Sequence, residues 1–251
     1  MEPSNGKSAS KRGLHRAAQV DCLVDARADL AQGLVWDDQT HRLFWIDTPA
    51  GTLFAVSLTS GVVQSWSLPC AVSAIALCRD GRILAALIDG IYLFDLVTHD
   101  LHFLTALDAS KTGFSGRVGP DGTFWICSAE RALLRVAADG SVSQVTEIEA
   151  SVPSDSAVDI EGSYWRCDAT EASVQRFSSD GEVLMRIALP VPAPTSCCFG
   201  GADLRLLLVA SRRNGLEARA LSGSPMSGGI FMIPVDVAGV KVRRFGAAVS
   251  S

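Results

Sequence analysis

The chain has 251 residues, 48 % hydrophobic and 20 % charged, with a mean hydropathy of +0.25. That is ample material for a buried core in one domain, and it excludes global disorder. A formal net charge of −5 leaves no basic field to hold phosphates or an anionic bilayer, so neither nucleic acid nor membrane is expected as a partner.

The first nineteen residues are polar and basic, carrying Lys7, Lys11, Arg12 and Arg16 with no apolar run behind them. They read as a disordered polar tail over 1–19 rather than a secretory signal, ahead of a single domain over 20–247. No apolar stretch approaches the ~18 residues that a membrane span needs. Seven cysteines, at 22, 70, 78, 127, 167, 197 and 198, are odd in number and contain no C-x-x-C pair. They read as reduced thiols of a cytoplasmic protein, not as a disulfide framework or a thiolate zinc site.

From residue 41 onward a unit of about 40 residues repeats. Its signature is Asp or Glu, then Gly, then an apolar and aromatic pair: Asp80-Gly81-Arg82-Ile83-Leu84, Asp121-Gly122-Thr123-Phe124-Trp125 and Glu161-Gly162-Ser163-Tyr164-Trp165. Degenerate copies stand at 41–45 and 203–207, and a second turn follows in each unit at 60–61, 99–100, 139–140 and 180–181. The runs between turns, such as RLFWID (42–47), TFWICS (123–128) and GGIFMIPV (228–235), are short and rich in β-branched and aromatic residues. Asp-Gly supplies the positive φ of a tight hairpin turn. Residues 212–222 have room for one helical turn. Four short antiparallel strands per repeat, five times over, predict an all-β propeller of five four-stranded blades. Gln19–Val24 is the natural strand to close the ring, lying outside a last blade formed by 228–245.

In a propeller the innermost strands all start at one mouth of the axial channel. This places Gln32, Ser73, Ser115, Ser154 or Asp155, and Thr195 or Ser196 in a ring there. The loops after the second strands add Asp47, Asp89, residues 128–130 including Glu130, Asp168, and Ser211 to Arg213. Carboxylates at such a mouth either bind a cation or cap their own loops. Cys197 and Cys198, inside an inner strand, read as core and not as nucleophiles.

Four stretches, QGLVWDDQTHRLFWID (32–47), GRVGPDGTFW (116–125), LPVPAPTSCCFGGADL (189–204) and GLEARALSGSPMSGGIFMIPVDVAGV (215–240), resemble the senescence-marker-protein (regucalcin)/gluconolactonase family. The resemblance runs from about residue 20 to 245. It implies a propeller of six blades in the family, a divalent cation (Ca²⁺ or Zn²⁺) on the axis, and hydrolysis of a small-molecule sugar lactone by a monomer. The metal ligands it implies are Gln32, where the family has Glu, and Ser154 or Asp155, where the family has the Asp of a P-D-G turn. Asp155 is the implied catalytic residue, and it reaches the ligand position only if the turn is bulged. Ser115 and Arg117 fall in the implied substrate segment, with Arg117 matching its terminal basic position. The resemblance also exposes losses: the Arg and Asn of the family's substrate segment are absent, and the chain is one unit short around 151–188. Two readings stay open, a sugar lactonase with weak cation binding and weakened or lost activity, and a non-catalytic propeller that binds or scaffolds.

Overall fold

The computed structural model describes residues 14–15, 19–107, 115–127, 133–145 and 156–246. The chain opens with β1 (Leu14–His15) and β2 (Asp21–Val24). Five sheets follow around a common axis. Blade 1 is β3 (Ala31–Asp37), β4 (Arg42–Asp47), β5 (Thr52–Ser57) and β6 (Val63–Ser67); blade 2 is β7 (Val72–Leu77), β8 (Ile83–Leu87), β9 (Gly90–Phe94) and β10 (Leu101–Ala106). Blade 3 is β11 (Ser115–Val118), β12 (Phe124–Cys127), β13 (Leu133–Val136) and β14 (Val142–Val145). Blade 4 is β15 (Ala157–Val158), β16 (Tyr164–Asp168), β17 (Ser173–Phe177) and β18 (Val183–Ala188), with β1 added in parallel on its outer edge. Blade 5 is β19 (Pro194–Gly200), β20 (Leu206–Ser211), β21 (Ile230–Pro234) and β2. The molecule is thus a five-bladed β-propeller, as the repeats predict.

Local chemistry accounts for the hairpins. Asp80, Asp121 and Asp139 each accept the N–H two residues on, at 3.1, 3.1 and 2.9 Å, and the intervening glycine takes a positive φ of 78–87°. The aspartate mimics a backbone turn while glycine takes the left-handed region without a Cβ clash.

Packing between blades explains why the strands read as nearly continuous apolar runs. In β8, Ile83, Ala85 and Leu87 pack toward blade 1, while Leu84 and Ala86 pack toward blade 3. In β4, Phe44 and Ile46 face blade 2, and Leu43 and Trp45 face blade 5. Both faces of a blade are buried, so the period of two is hidden under apolar residues on each side. Apolar clusters join blades 5 and 1, 1 and 2, 2 and 3, and 4 and 5. Among the described residues none joins blades 3 and 4. There the contact is polar, Arg117 Nη2 donating to the Ser156 carbonyl at 3.0 Å.

The ring closes as expected through β2, whose Asp21 and Val24 pair with Met232 and Ile230 of β21. The expectation for 228–245 is only partly met. The strand ends at Pro234, and residues 238–246 leave the blade to run as a strap under the far end of the channel. Gly239 N–H donates to Leu204 of blade 5 and Val240 N–H to Val158 of blade 4. Arg244 pairs with Asp37 and Asp38 of blade 1, Phe245 exchanges backbone bonds with Leu77 and Arg79 of blade 2, and Gly246 N–H reaches Gly122 of blade 3. The strap therefore ties all five blades. A Cβ on Gly239 would lie 2.1 Å from the Phe199 ring, so only glycine lets the backbone cross there. The short helix α1 (Ala218–Gly223) takes the place of the expected helical turn. Among the described residues no helix is long and apolar enough to cross a membrane.

Candidate functional site

The inner strands β3, β7, β11, β15 and β19 bring Gly33 to Val35, Ser73, Ser115, Arg117, Ser156 and Ser196 around an axial cavity of about 230 Å³. The strap residues Val240 to Arg243 line it from the far end. Ladder register slips at the mouth in three of the five inner strands: between Gln32 and Val35, Val72 and Ala74, and Pro194 and Cys197. Such bulges re-aim side chains, and here they fall at the positions expected to ring the channel.

The expected mouth residues among those described each have a defined environment. Gln32 Nε2 donates to Thr48 Oγ1 at 2.8 Å and to the Ser73 carbonyl at 3.4 Å, so its amide nitrogen links the mouths of blades 1 and 2. Ser73 Oγ donates to the Ala86 carbonyl at 3.1 Å, and Thr195 Oγ1 to the Ala31 carbonyl. Ser196 Oγ is buried in the cavity wall, without a hydrogen-bond partner among the described residues. Ser115 and Arg117, the implied substrate residues, both line the cavity. Ser154, Asp155 and Glu130 lie outside the described residues.

The second set of carboxylates is used by the loops. Asp47 accepts the N–H groups of Asp29 and Leu30 at 3.1 and 3.0 Å, fixing the segment that enters β3. Asp168 accepts the Thr170 hydroxyl at 2.6 Å, the Thr170 N–H at 2.9 Å and Gln175 Nε2 at 2.9 Å. The Thr170 hydroxyl is the largest influence and, with the backbone donors, outweighs burial to hold its pKa below the usual carboxylate value. Asp89 is exposed and accepts the Tyr92 hydroxyl at 3.1 Å. Ser211 is fully buried, donating to the Gly229 carbonyl and accepting the Gly228 N–H. Arg212 and Arg213 hold the backbone carbonyls of Asn214 and Ser227.

None of the seven cysteines is in a disulfide. Cys198 is buried, and desolvation pushes its pKa well above 9.0. Cys197 Sγ donates to the Trp165 carbonyl at 3.3 Å. Both thiols pack in the core, as their place in an inner strand implies.

Among the described residues no three His, Cys, Asp or Glu side chains gather to hold a metal ion. The charged side chains that line the axial cavity there are Arg117, Lys241 and Arg243, with no carboxylate beside them. A hard dication needs several oxygen ligands and their negative charge. Gln32 brings a neutral amide, so the described set does not compose such a site by itself.

Thr48 and Ser156 are site residues that the sequence gives no reason to pick. Thr48 acts through a loop neighbour, and Ser156 through its backbone carbonyl, which any residue type supplies. The strap as floor of the cavity is equally silent, because it carries neither a repeat nor a period.

Known proteins agree with this architecture. The model of the SMP-30/Gluconolactonase/LRE-like region matches residues 30–155 and 132–213. The chain is 27 % identical to a 6-deoxy-6-sulfogluconolactonase of Pseudomonas putida over an alignment covering 88 % of this chain and 96 % of that protein. That alignment runs to 280 positions against the 251 residues present, so the relative carries residues opposite a gap. Chicken (Gallus gallus) regucalcin is 22 % identical, with 86 % of this chain and 94 % of that one covered. The crystal structure of a regucalcin from Agrobacterium tumefaciens, described as a calcium-binding protein, superposes with a TM-score of 0.82 at 22 % identity, covering 91 % of this chain and 98 % of that one. With the family match extending from residue 30 to 213 and the propeller in common, the chain belongs to the SMP-30/gluconolactonase/LRE-like family.

Proposed function

We propose that this chain binds a small sugar lactone in the axial cavity and hydrolyses it weakly. The observation that carries this reading is the cavity itself. Inner strands of all five blades wall it, serine side chains and Arg117 line it, and it is sized for a single-ring molecule. Family membership supplies the reaction class, and the names of the relatives supply the substrate class.

Hydrolysis requires water to attack the lactone carbonyl, with a base to take its proton and donors to meet the charge growing on oxygen. Asp155 is our candidate base. The family resemblance of the segment 152–155 and its place ahead of β15 support that choice. Arg117 is our candidate for orienting the ligand, since it lines the cavity and a guanidinium is a forked hydrogen-bond donor. Ser115 adds a hydroxyl at the same wall. Gln32, Ser154 and Asp155 form the cation set that family resemblance proposes. With one acidic ligand replaced by an amide, that set favours weak binding of Ca²⁺ or Zn²⁺. The absence of disulfides supports a reducing, cytoplasmic setting, and we propose a monomer.

The test is a pH-indicator assay on a panel of aldonolactones, with and without added divalent cation. Wild-type turnover is expected within about tenfold of spontaneous hydrolysis, equivalent to ~1.4 kcal/mol of barrier lowering. Asp155→Asn should remove it, and Arg117→Met should raise KM more than it lowers kcat. Turnover that survives Asp155→Asn would overturn the assignment. Saturable lactone binding by calorimetry without any turnover would favour the second reading, a binding propeller. The neutral amide of Gln32 in place of an acidic ligand favours that reading, because it brings no negative charge to a cation.

A further inference from the structure

On the face opposite the lactone mouth, the strap and the lower ends of blades 1, 2 and 3 enclose a second cleft of about 240 Å³. Its charges do not cancel. Asp38, the one carboxylate among its described lining residues, is already met by Lys241 at 2.9 Å and by Arg244 at 3.2 Å, and Arg244 also pairs with Asp37. Two acids thus face two bases. Arg79 and Arg243 remain, both exposed, both lining the cleft and neither in an ion pair among the described residues.

Each of these guanidinium groups is held by one backbone carbonyl. Arg79 Nε donates to Gly246 at 3.1 Å, and Arg243 Nη1 to Pro120 at 3.3 Å. The side chains are thereby oriented while most of their N–H donors stay available. The carboxamide of Gln39 lines the same cleft and makes no hydrogen bond among the described residues. Two like charges thus line one concave surface on a chain of net charge −5. A tetrahedral dianion offsets both charges and accepts forked hydrogen bonds from guanidinium groups.

We propose that this basal cleft binds a phosphate-type oxyanion, clamped between Arg79 and Arg243 with Gln39 as a third donor. The ligand is free phosphate or the phosphate group of a small ester. Val242 and Arg243 line both this cleft and the axial cavity, so an anion bound here fastens the floor of the cavity above. The proposal stands apart from the lactone reading and needs neither Asp155 nor a metal.

Thermal unfolding of the full chain tests it, titrating inorganic phosphate or glucose 6-phosphate against chloride at constant ionic strength. Phosphate also stabilises proteins non-specifically by exclusion from their surface, so the variants carry the decision. In wild type the melting temperature should rise saturably at millimolar anion. Arg79→Gln and Arg243→Gln should each weaken the apparent affinity about tenfold or more. Arg219→Gln, exposed on α1, should leave it unchanged. A glucose 6-phosphate midpoint below that of phosphate identifies an ester as the ligand, and equal midpoints identify the free ion; either result supports the site. A linear, unsaturating rise, or a saturable rise equal in wild type and both arginine variants, overturns it.

Discussion

Asp159 shows how a single carboxylate is spent on structure. Its side chain is wholly buried, accepting Arg176 Nε at 2.8 Å, Trp165 Nε1 at 2.9 Å and the N–H groups of Glu161 and Ser163 at 3.0 Å. Burial is the largest influence and opposes ionisation, but Arg176 and the other donors together outweigh it and hold the pKa below the ordinary 3.8. A pKa depressed by folding contributes stability above about pH 3.8 that is lost as pH falls through the lower, folded value. Asp159→Asn should therefore flatten the acid limb of the stability profile. At neutral pH it should cost about 1–3 kcal/mol, since Arg176 keeps Glu161 at 2.6 Å while Trp165 Nε1 loses the oxygen it donates to. Urea unfolding at pH 7 and near pH 3 reads both effects, and an unchanged acid limb would refute the assignment. The sequence marks the neighbouring Glu161-Gly162 as a turn but gives no reason to single out Asp159. Its partners Trp165 and Arg176 come from the next two strands, and only folding brings them together. Asp47 and Asp168 teach the complementary lesson: placed at the mouth by topology, Asp47 is claimed by the N–H groups of Asp29 and Leu30 ahead of β3, and Asp168 by those of its own loop.

At the scale of elements, the two chain ends behave differently. β2 is legible because an isolated apolar run before the first repeat has nowhere to pair except the open edge of the last blade. The strap is not legible, because its bonds are to strands and turns of five separate blades and follow no period. Its main apolar anchor is Phe245, 4 % exposed, packed with Cys78, Leu107 and Phe124 between blades 2 and 3. Phe245→Ala should cost about 3–5 kcal/mol, the ordinary price of a large core cavity. Denaturant midpoints measure this, and a loss under about 1 kcal/mol would show that the strap is not fastened there. The bulges in β3, β7 and β19 were likewise beyond sequence reading, although they set the direction of the residues at the mouth.

At the scale of the whole molecule, the join between blades 3 and 4 bears on what the ring can do. The family match covers residues 132–155 twice, as the end of one stretch and the start of the next. That overlap falls on the unit expected to stand for two of the family's, at the join where no apolar cluster is described. A blade missing there would remove a contributor to the axial site along with its core contacts. Added Ca²⁺ at micromolar concentration should accordingly raise the melting temperature by less than about 2 °C, since stabilisation by a ligand follows its occupancy of the native state. A shift of many degrees, followed by calorimetry, would mean that Asp155 and its neighbours assemble a strong site despite Gln32.

What the sequence determined by itself is the local and the periodic: Asp-Gly turns, short apolar strands, their repeat near 40 residues, the blade count and the closing strand. Those features are encoded in neighbouring residues, where φ preferences and burial patterns act within a few positions. The family resemblance likewise follows from contiguous stretches. Only the tertiary structure decided which carboxylates cap loops, that Gln32 spends its amide nitrogen on Thr48 and Ser73, that the strap floors the cavity, and that Arg79 and Arg243 meet unpaired beneath it. Each of those depends on atoms distant in the chain, so its energy exists only once the ring has closed and water has been displaced from between the blades.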